Sequence, residues 1–213
     1  MAVGLTVAVV SAGLLVMTRA GADTDRCTEF RAAARERAEL VTGSGRDVLV
    51  IGDSYSVGLG VQPWLSWPTR LPGRVHVEGF SGSGFTRGAS GCGASVSYAD
   101  RAPRVGGYDV VVVEGGLNDV DQPAASLRRG FARLLARVGD RPVLVVGPAR
   151  APSRSAGAEV VDRRLARLAS SYGVDYVSML DEDLPYLDDN LHLTPAGHRQ
   201  FGDRVAEALS SLG

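Results

Sequence analysis

Short apolar runs recur along the chain and are separated by helical patterns. The runs lie at residues 47–51, 74–77, 109–113, 142–146 and 174–177. Val and Ile continue through most of them without alternating polar residues, which is typical of strands buried on both faces of a parallel sheet. We therefore predict five strands that pair in parallel.

Amphipathic helices are predicted between and after these runs. The apolar stripes at helical spacing are Leu127, Phe131, Leu134, Leu135 and Val138, then Val161, Leu165, Leu168 and Tyr172, and finally Phe201, Val205, Leu209 and Leu212. Pro123 and the pair Thr194-Pro195 are helix-start signals before the first and last stripes. Residues 27–41 predict an additional helix ahead of the first strand. This alternation predicts the α/β class, as a three-layer α/β/α sandwich around a five-stranded parallel sheet.

The composition is that of an ordinary globular protein. Of the 213 residues, 45% are hydrophobic and 22% are charged, and the formal net charge is −1. These values exclude a mainly disordered chain, a collagen-like fibre and a disulfide-dense miniprotein. A net charge near zero also argues against a nucleic-acid binder. We expect one folded domain, a monomer, with no nucleic-acid partner.

The first 22 residues form a separate segment. Residues 2–17 are apolar or small, and no charged side chain precedes Arg19. The run is short for a membrane span, which needs about 20 residues, but it suits a signal peptide with Ala20-Gly21-Ala22 as the cleavage site. A signal peptide usually begins with a basic residue, which is missing here, so an uncleaved membrane anchor and a buried core helix are alternatives. We expect an exported protein, secreted or held in the cell envelope, with its folded domain at residues 23–213.

Two cysteines, Cys27 and Cys92, occur in the whole chain. Outside the cytoplasm such a pair predicts a disulfide. It would tie the N-terminal helix to residues 79–107, a loop-like segment rich in Gly and Ser. The spacing of Cys and His is not that of a metal site, and no metal or organic cofactor is expected.

The residues that follow the strands carry the candidate chemistry, because ligands bind open α/β sheets beyond the carboxyl ends of the strands. Ser54 follows the first strand, Asn118 follows the third, and His192 lies close after the last, with Asp189 three residues before it. A serine hydroxyl becomes a good nucleophile when a base takes its proton. A carboxylate three residues from a histidine in a tight loop can orient the ring. The other histidines are expected in ordinary surroundings, His76 packed in a strand and His198 on the surface of the last helix.

An acyl-transfer reaction also needs hydrogen-bond donors for the oxyanion. The Ser54 amide, a glycine amide after the second strand and the side chain of Asn118 are candidates. Asn118-Asp119 is explained equally well as a turn that ends a strand, where Asn and Asp are favoured.

Three motifs together resemble the SGNH/GDSL hydrolases, a family of serine esterases, lipases and thioesterases with a flavodoxin-like sandwich. The motifs are Gly52-Asp53-Ser54-Tyr55, Gly116-Leu117-Asn118-Asp119 and Asp189-Asn190-Leu191-His192. They occur in the family's order and span most of the chain. Tyr55 stands where the family has Leu, which changes the packing beside Ser54 without disabling it.

The resemblance implies a role for each motif residue. Ser54 is the expected nucleophile, His192 the general base and acid, and Asp189 the residue that orients the histidine. The expected oxyanion hole comprises Ser54, Asn118 and Gly82, of which Gly82 fits the spacing best among the glycines of its loop.

Other residues have weaker interpretations. Gly84 is the alternative to Gly82, and Asp53 and Asp119 are expected to bond within their own turns. Trp64 and Trp67 could line an acyl or sugar site, with the hydrophobic core as the favoured location for Trp67. Arg101 and Arg104 are expected in solvent.

These observations predict a serine hydrolase that cleaves carboxylic esters through an acyl-enzyme. The expected substrate is a small-molecule, sugar or lipid ester with a short acyl group, because no lid or long hydrophobic loop is recognised. An uncleaved leader would add association with a membrane. The alternatives are a cell-envelope O-acyltransferase with the same triad and a non-catalytic binding module on the same fold.

Overall fold

Five parallel strands form a sheet at the centre of the molecule. The computed structural model describes residues 23–103 and 105–212. The strands are β1 (Asp47–Gly52), β2 (Arg74–Gly79), β3 (Val110–Glu114), β4 (Val143–Ala149) and β5 (Asp175–Met179), in the order β2-β1-β3-β4-β5. The predicted parallel sheet is therefore confirmed.

The helices cover both faces of this sheet. They are α1 (residues 23–39), α2 (Ser54–Val57), α3 (Tyr98–Arg101), α4 (Ala124–Val138), α5 (Ser155–Tyr172) and α6 (Pro195–Ser210). Side chains alternate between the faces along each strand. On β1, Leu49 and Ile51 pack in the core formed with α4 and α5, whereas Val48 and Val50 pack in the core formed with α6. This arrangement is the predicted three-layer α/β/α sandwich.

Helix α1 is held against the domain at three points. Cys27 forms the predicted disulfide with Cys92, which is 65 residues away along the chain. The ring of Phe30 packs edge-on against Phe80 just after β2, with the ring centroids 6.3 Å apart. Arg37 is fully buried and donates from Nε to the hydroxyl of Ser66 over 3.1 Å. The disulfide, the aromatic contact of Phe30 and the buried hydrogen bond of Arg37 thus hold α1 against the domain along its length.

The expectation that His198 lies on the protein surface is wrong, because only 1% of the residue is exposed. It lies on the inner side of α6, three residues before the core residue Phe201. Its Nδ1 accepts a hydrogen bond from the Trp67 amide over 3.3 Å. Burial, with a smaller contribution from the charge of His192, lowers the pKa of His198 to about 4. The ring is therefore a neutral core group.

The leader predicted at residues 1–22 lies outside the described residues. Within the described ranges, no helix combines the length and the apolar character needed to cross a membrane.

Candidate active site

Ser54, His192 and Asp189 form a hydrogen-bonded chain at the carboxyl ends of the strands. Ser54 is the first residue of α2, directly after β1 and Asp53. Its Oγ lies 3.1 Å from Nε2 of His192, and Nδ1 of His192 lies 2.5 Å from Oδ2 of Asp189. These distances suit a serine that passes its proton to an imidazole held by a carboxylate.

The loop that carries Asp189 and His192 is built by its own hydrogen bonds. Oδ1 of Asp189 accepts the backbone N–H groups of Leu191 and His192, each over 2.9 Å. Between them, Asn190 adopts a positive φ of 56°, a conformation that Asn tolerates better than most residues. Partial burial raises the pKa of Asp189, but the hydrogen bonds from His192 and Leu191 outweigh this effect and lower it to about 2. Asp189 is therefore a carboxylate at any working pH.

Tyr55 connects the serine segment to the histidine loop. Its hydroxyl donates to the carbonyl oxygen of Leu191 over 2.6 Å, and its ring lies in the core beside Phe201. Leu, the family's residue at this position, has no hydroxyl and could not make this bond. The Tyr at position 55 thus holds the backbone of Leu191, which directly precedes His192.

Gly82 and Asn118 lie at the same cavity as Ser54, whereas Gly84 does not line it. Gly82 has a φ of +77°, which glycine adopts without strain, and its amide donates no hydrogen bond within the described residues. A Cβ on Gly84 would lie 2.5 Å from Oδ2 of Asp119, so Gly84 is a packing glycine. The location therefore favours Gly82 over Gly84 as an oxyanion donor.

The side-chain amide of Asn118 already has two acceptors in this structure. Its Nδ2 donates to Oδ2 of Asp53 over 3.1 Å and to the carbonyl oxygen of Ser83 over 2.9 Å. These bonds hold Asn118 at the cavity wall. Donation to a substrate oxygen would require Asn118 to share or exchange one of them.

Three buried acids support the turns around Ser54. Asp53 accepts the Tyr55 amide over 3.0 Å, Asp119 accepts the amides of the second-strand loop, and Glu114 accepts the hydroxyl of Ser56 over 2.7 Å. Burial is the main cause that raises the pKa of Asp53 and of Asp119 to about 6 and that of Glu114 well above its ordinary value. The bond from the Tyr55 amide agrees with the expectation that Asp53 bonds within its own turn. The same expectation is wrong for Asp119, because its carboxylate accepts the amides of Phe85 and Thr86 in the loop after β2. Glu114 lies in none of the recognised motifs.

The expectation that Arg101 lies in solvent is also wrong. Its guanidinium donates to the carbonyl oxygens of Gly52, Glu78 and Val96 and to the hydroxyl of Ser83. These acceptors come from the ends of β1 and β2 and from the loop, so a cation fits where several carbonyl oxygens meet. Arg104 lies outside the described residues.

A cavity of about 410 Å³ opens beside Ser54 and His192. One wall comes from α1, a second from the loop that carries Cys92, and a third from the segments after β3 and β4. The residues that contribute these walls are Arg26 and Phe30, then Ala89, Ser90, Gly91 and Cys92, then Leu117, Asn118, Asp121, Gln122 and Arg154. The N-terminal helix is thus part of the site, which the sequence reasoning did not anticipate.

Trp64 and Trp67 do not line this cavity. Trp67 is fully buried and packs against Phe201 with ring centroids 5.4 Å apart, as the core interpretation predicted. Trp64 is 59% exposed. In the described part of the chain, no cluster of three His, Cys, Asp or Glu side chains could hold a metal ion.

Comparison with known proteins gives one family and a set of similar folds. The model of the GDSL-like lipase/acylhydrolase family matches residues 50–200. A sequence comparison with curated proteins finds no match.

Among solved structures, Est24, a carbohydrate acetylesterase from Sinorhizobium meliloti, is 17% identical with a TM-score of 0.66, over 79% of this chain and 100% of that one. The inhibitor-bound aryl esterase of M. smegmatis is 20% identical with a TM-score of 0.66 and the same two coverages. A family two carbohydrate esterase from Clostridium thermocellum is 17% identical with a TM-score of 0.62, over 80% of this chain and 64% of that one. At these identities the likeness shows the shared fold.

Proposed function

The chain belongs to the GDSL-like lipase/acylhydrolase family, and we propose that it cleaves carboxylic esters through Ser54, His192 and Asp189. The observation that carries this proposal is the hydrogen-bonded chain from Asp189 to Ser54, which ends at the cavity. Ser54 lies 138 residues before His192 in the chain, yet it meets the Asp189–His192 pair there with the geometry of a nucleophile, its base and the residue that orients the base.

The reaction proceeds in two steps, acylation of Ser54 and hydrolysis of the acyl-enzyme. Ser54 Oγ attacks the ester carbonyl and gives its proton to Nε2 of His192, and the tetrahedral intermediate collapses as His192 returns the proton to the leaving alcohol. Water then attacks the acyl-enzyme with His192 as base, and the acid is released as Ser54 regains its proton. Asp189 stays ionised throughout and stabilises the imidazolium.

The oxyanion hole is assigned to the amides of Ser54 and Gly82 and to the side chain of Asn118. Gly82 is supported by its free amide and its position at the cavity. Loss of one such donor typically lowers kcat by about 10²–10³.

We propose a short acyl group, on a small molecule or a sugar. The support is a cavity of about 410 Å³ whose walls carry Ser90, Asn118 and Gln122 rather than a continuous apolar surface. A long lipid chain would need apolar lining along its length. The neighbours described as a carbohydrate acetylesterase and an aryl esterase are consistent with this choice.

We further propose that the protein works outside the cytoplasm, in the extracellular space or the cell envelope. Disulfides persist mainly in oxidising compartments, and Cys27 and Cys92 form one here. The apolar run at residues 2–17 provides the expected export signal or anchor.

The test is hydrolysis of an ester series by the purified protein. The series comprises 4-nitrophenyl acetate, butyrate and octanoate and an acetylated xylose. We expect the acetate esters to give the highest kcat/KM, and Ser54→Ala to abolish turnover while Ser126→Ala, on α4, does not. Turnover that persists in a folded Ser54→Ala variant would refute the proposal. A reaction with an added alcohol distinguishes hydrolysis from acyl transfer, because both the free acid and the new ester can be measured. We expect the free acid to dominate.

A further inference from the structure

Arg154 lies at the catalytic cavity, but the ester-cleaving steps do not use it. It follows β4, immediately before α5, and lines the cavity together with Ser54, Asn118 and His192. An arginine is always charged at working pH and carries five N–H donors in a rigid fork. A cation of this kind at a cavity wall needs an explanation.

The position of Arg154 is fixed from two sides of the site. Its Nη1 donates to the carbonyl oxygen of Leu117 over 2.8 Å, next to Asn118. Its neighbour Ser153 donates a backbone hydrogen bond to the carbonyl oxygen of Asn190 over 3.0 Å, in the loop that carries His192. The guanidinium is therefore tied to the oxyanion side, and the backbone next to Arg154 is tied to the histidine loop, so part of the flexibility of this residue is already lost before a ligand binds.

The guanidinium has no acidic partner among the residues that the structure describes. No carboxylate oxygen of the described residues lies within 4.0 Å of an Arg154 nitrogen. Its Nε and Nη2 donate no hydrogen bond in the same part of the chain, since Leu117 is the one acceptor of the side chain. By contrast, Arg26, the other arginine at this cavity, is paired with Asp23 at 2.6 Å. Asp121 also lines the cavity, outside ion-pair distance of Arg154.

We propose that Arg154 determines specificity by binding an anionic group, a carboxylate or a phosphate, on the ester substrate. This inference rests on the proposed ester hydrolysis and names the substrate class of the same site. An arginine fork matches the two oxygens of such a group, and the remaining Nε–H and Nη2–H donors are the pair that a bidentate contact needs. Arg154 also borders a second depression of about 330 Å³, which extends the concave surface around the guanidinium.

The experiment compares matched pairs of esters that differ in one charge. Mono-4-nitrophenyl adipate against 4-nitrophenyl hexanoate tests an anion on the acyl side. The pair 4-acetoxybenzoate and 4-acetoxybenzamide tests an anion on the alcohol side. We expect kcat/KM to favour the anionic member of one pair by about 10- to 100-fold, as charge-assisted hydrogen bonds permit, and the preference to shrink as salt is raised.

Variants then assign the preference to Arg154. The preference is the kcat/KM for the anionic ester divided by the kcat/KM for its neutral partner. Arg154→Gln should lower this ratio most of the way to 1. Arg154→Lys should keep part of the preference, because the charge stays but the fork is lost. Arg128→Gln, at an exposed arginine of α4, is the matched control and should leave the ratio unchanged.

Two results would overturn the inference, and they differ in their cause. If the parent hydrolyses the neutral esters but favours the anion in neither pair, or if Arg154→Gln lowers both members of a pair equally, Arg154 does not bind an anion and the triad proposal stands. If the folded parent hydrolyses no ester of either pair and Ser54 does not react with a fluorophosphonate, the triad proposal fails and this inference fails with it.

Discussion

Removal of the disulfide should destabilise the protein and loosen the catalytic cavity. The perturbation is the double variant Cys27→Ser/Cys92→Ser, which replaces both sulfur atoms with groups of similar size. The bond joins α1 to the loop around Cys92, and both elements form walls of the cavity beside Ser54. The variant therefore tests whether the N-terminal helix, which lies outside the matched family region, is a working part of the site.

The magnitude follows from the length of chain that the bond encloses. The two cysteines are 65 residues apart, for which the chain-entropy model gives a loss of about 4 kcal/mol in the free energy of unfolding. In a domain of roughly 150–250 residues, each 1 kcal/mol lowers the Tm by about 2–4 °C, so the Tm should fall by about 8–16 °C. The packing of Phe30 on Phe80 and the buried bond from Arg37 to Ser66 remain and should keep the variant folded.

Activity should fall because α1 supports the turn that carries Gly82. A Cβ on Gly82 would meet the ring of Phe30 at 3.7 Å, so the helix and the turn are neighbours. Displacement of an active-site group by about 1 Å can cost up to roughly 10² in rate. We expect a lower kcat/KM for 4-nitrophenyl acetate in the double variant than in the parent. The assay is run well below the Tm of the variant, so that unfolding does not contribute to the loss.

The assay is thermal unfolding, monitored by circular dichroism, with and without a thiol reductant. The reductant should lower the Tm of the parent and leave that of the double variant unchanged. A double variant whose Tm lies within about 2 °C of the parent's would refute the reasoning. So would a reductant effect that persists without the cysteines.

Three further predictions concern single residues. Asp189→Asn should lower kcat by about 10²–10⁴ with the fold intact, since an amide no longer favours the required tautomer and imidazolium; an unchanged kcat in steady-state assays would contradict this. His198→Gln should flatten the acid side of the stability profile. Because burial lowers the folded pKa of His198 to about 4, from an ordinary value of 6.5, the neutral ring contributes about 3 kcal/mol that is present above pH 6.5 and lost as the pH falls through 4. Urea titrations at pH 7 and 4 should show a larger loss for the parent, and equal losses would refute the assignment. Gly84→Ala should lower the free energy of unfolding by about 1–3 kcal/mol, since its Cβ would lie 2.5 Å from Asp119 Oδ2; a Tm equal to the parent's would show that the site relaxes freely.

The strands could be predicted because a doubly covered sheet leaves a strong pattern in sequence. Each inner strand is buried on both faces, so runs of four consecutive Val, Leu or Ile residues lie in β1, β3 and β4, at residues 48–51, 110–113 and 143–146. The end of the last strand was harder to predict. The apolar run predicts a strand that ends at residue 177, whereas β5 continues to Met179. Because β5 lies at the edge of the sheet, some of its positions are exposed or half-buried, and polar residues such as Ser178 interrupt the apolar pattern there.

Ser54, Asp189 and His192 could be singled out because each lies in a short motif next to a strand or helix end. Parallel strands bring such ends together, so the hydrogen-bonded chain follows from topology and local spacing. Spacing favours Gly82 but leaves Gly84 as an alternative. Their difference lies in tertiary contacts, since one faces the cavity and the other packs on Asp119.

Arg101, Arg154 and His198 show why the rest could not be predicted. The backbone acceptors of Arg101 are carbonyl oxygens that meet only when β1, β2 and the loop after β2 have folded. His198 is buried because α6 packs on the Trp67 segment, which lies 131 residues earlier in the chain. Arg154 belongs to no motif, and its importance comes from the cavity into which the fold brings it.

The most direct test of the account is the intact mass of the purified protein after treatment with a fluorophosphonate probe. The probe reports an activated serine without a choice of ester substrate. The account predicts one adduct on the parent, located at Ser54 by peptide mapping, and none on Ser54→Ala. An unlabelled, folded parent, or an adduct that persists in Ser54→Ala, would contradict it.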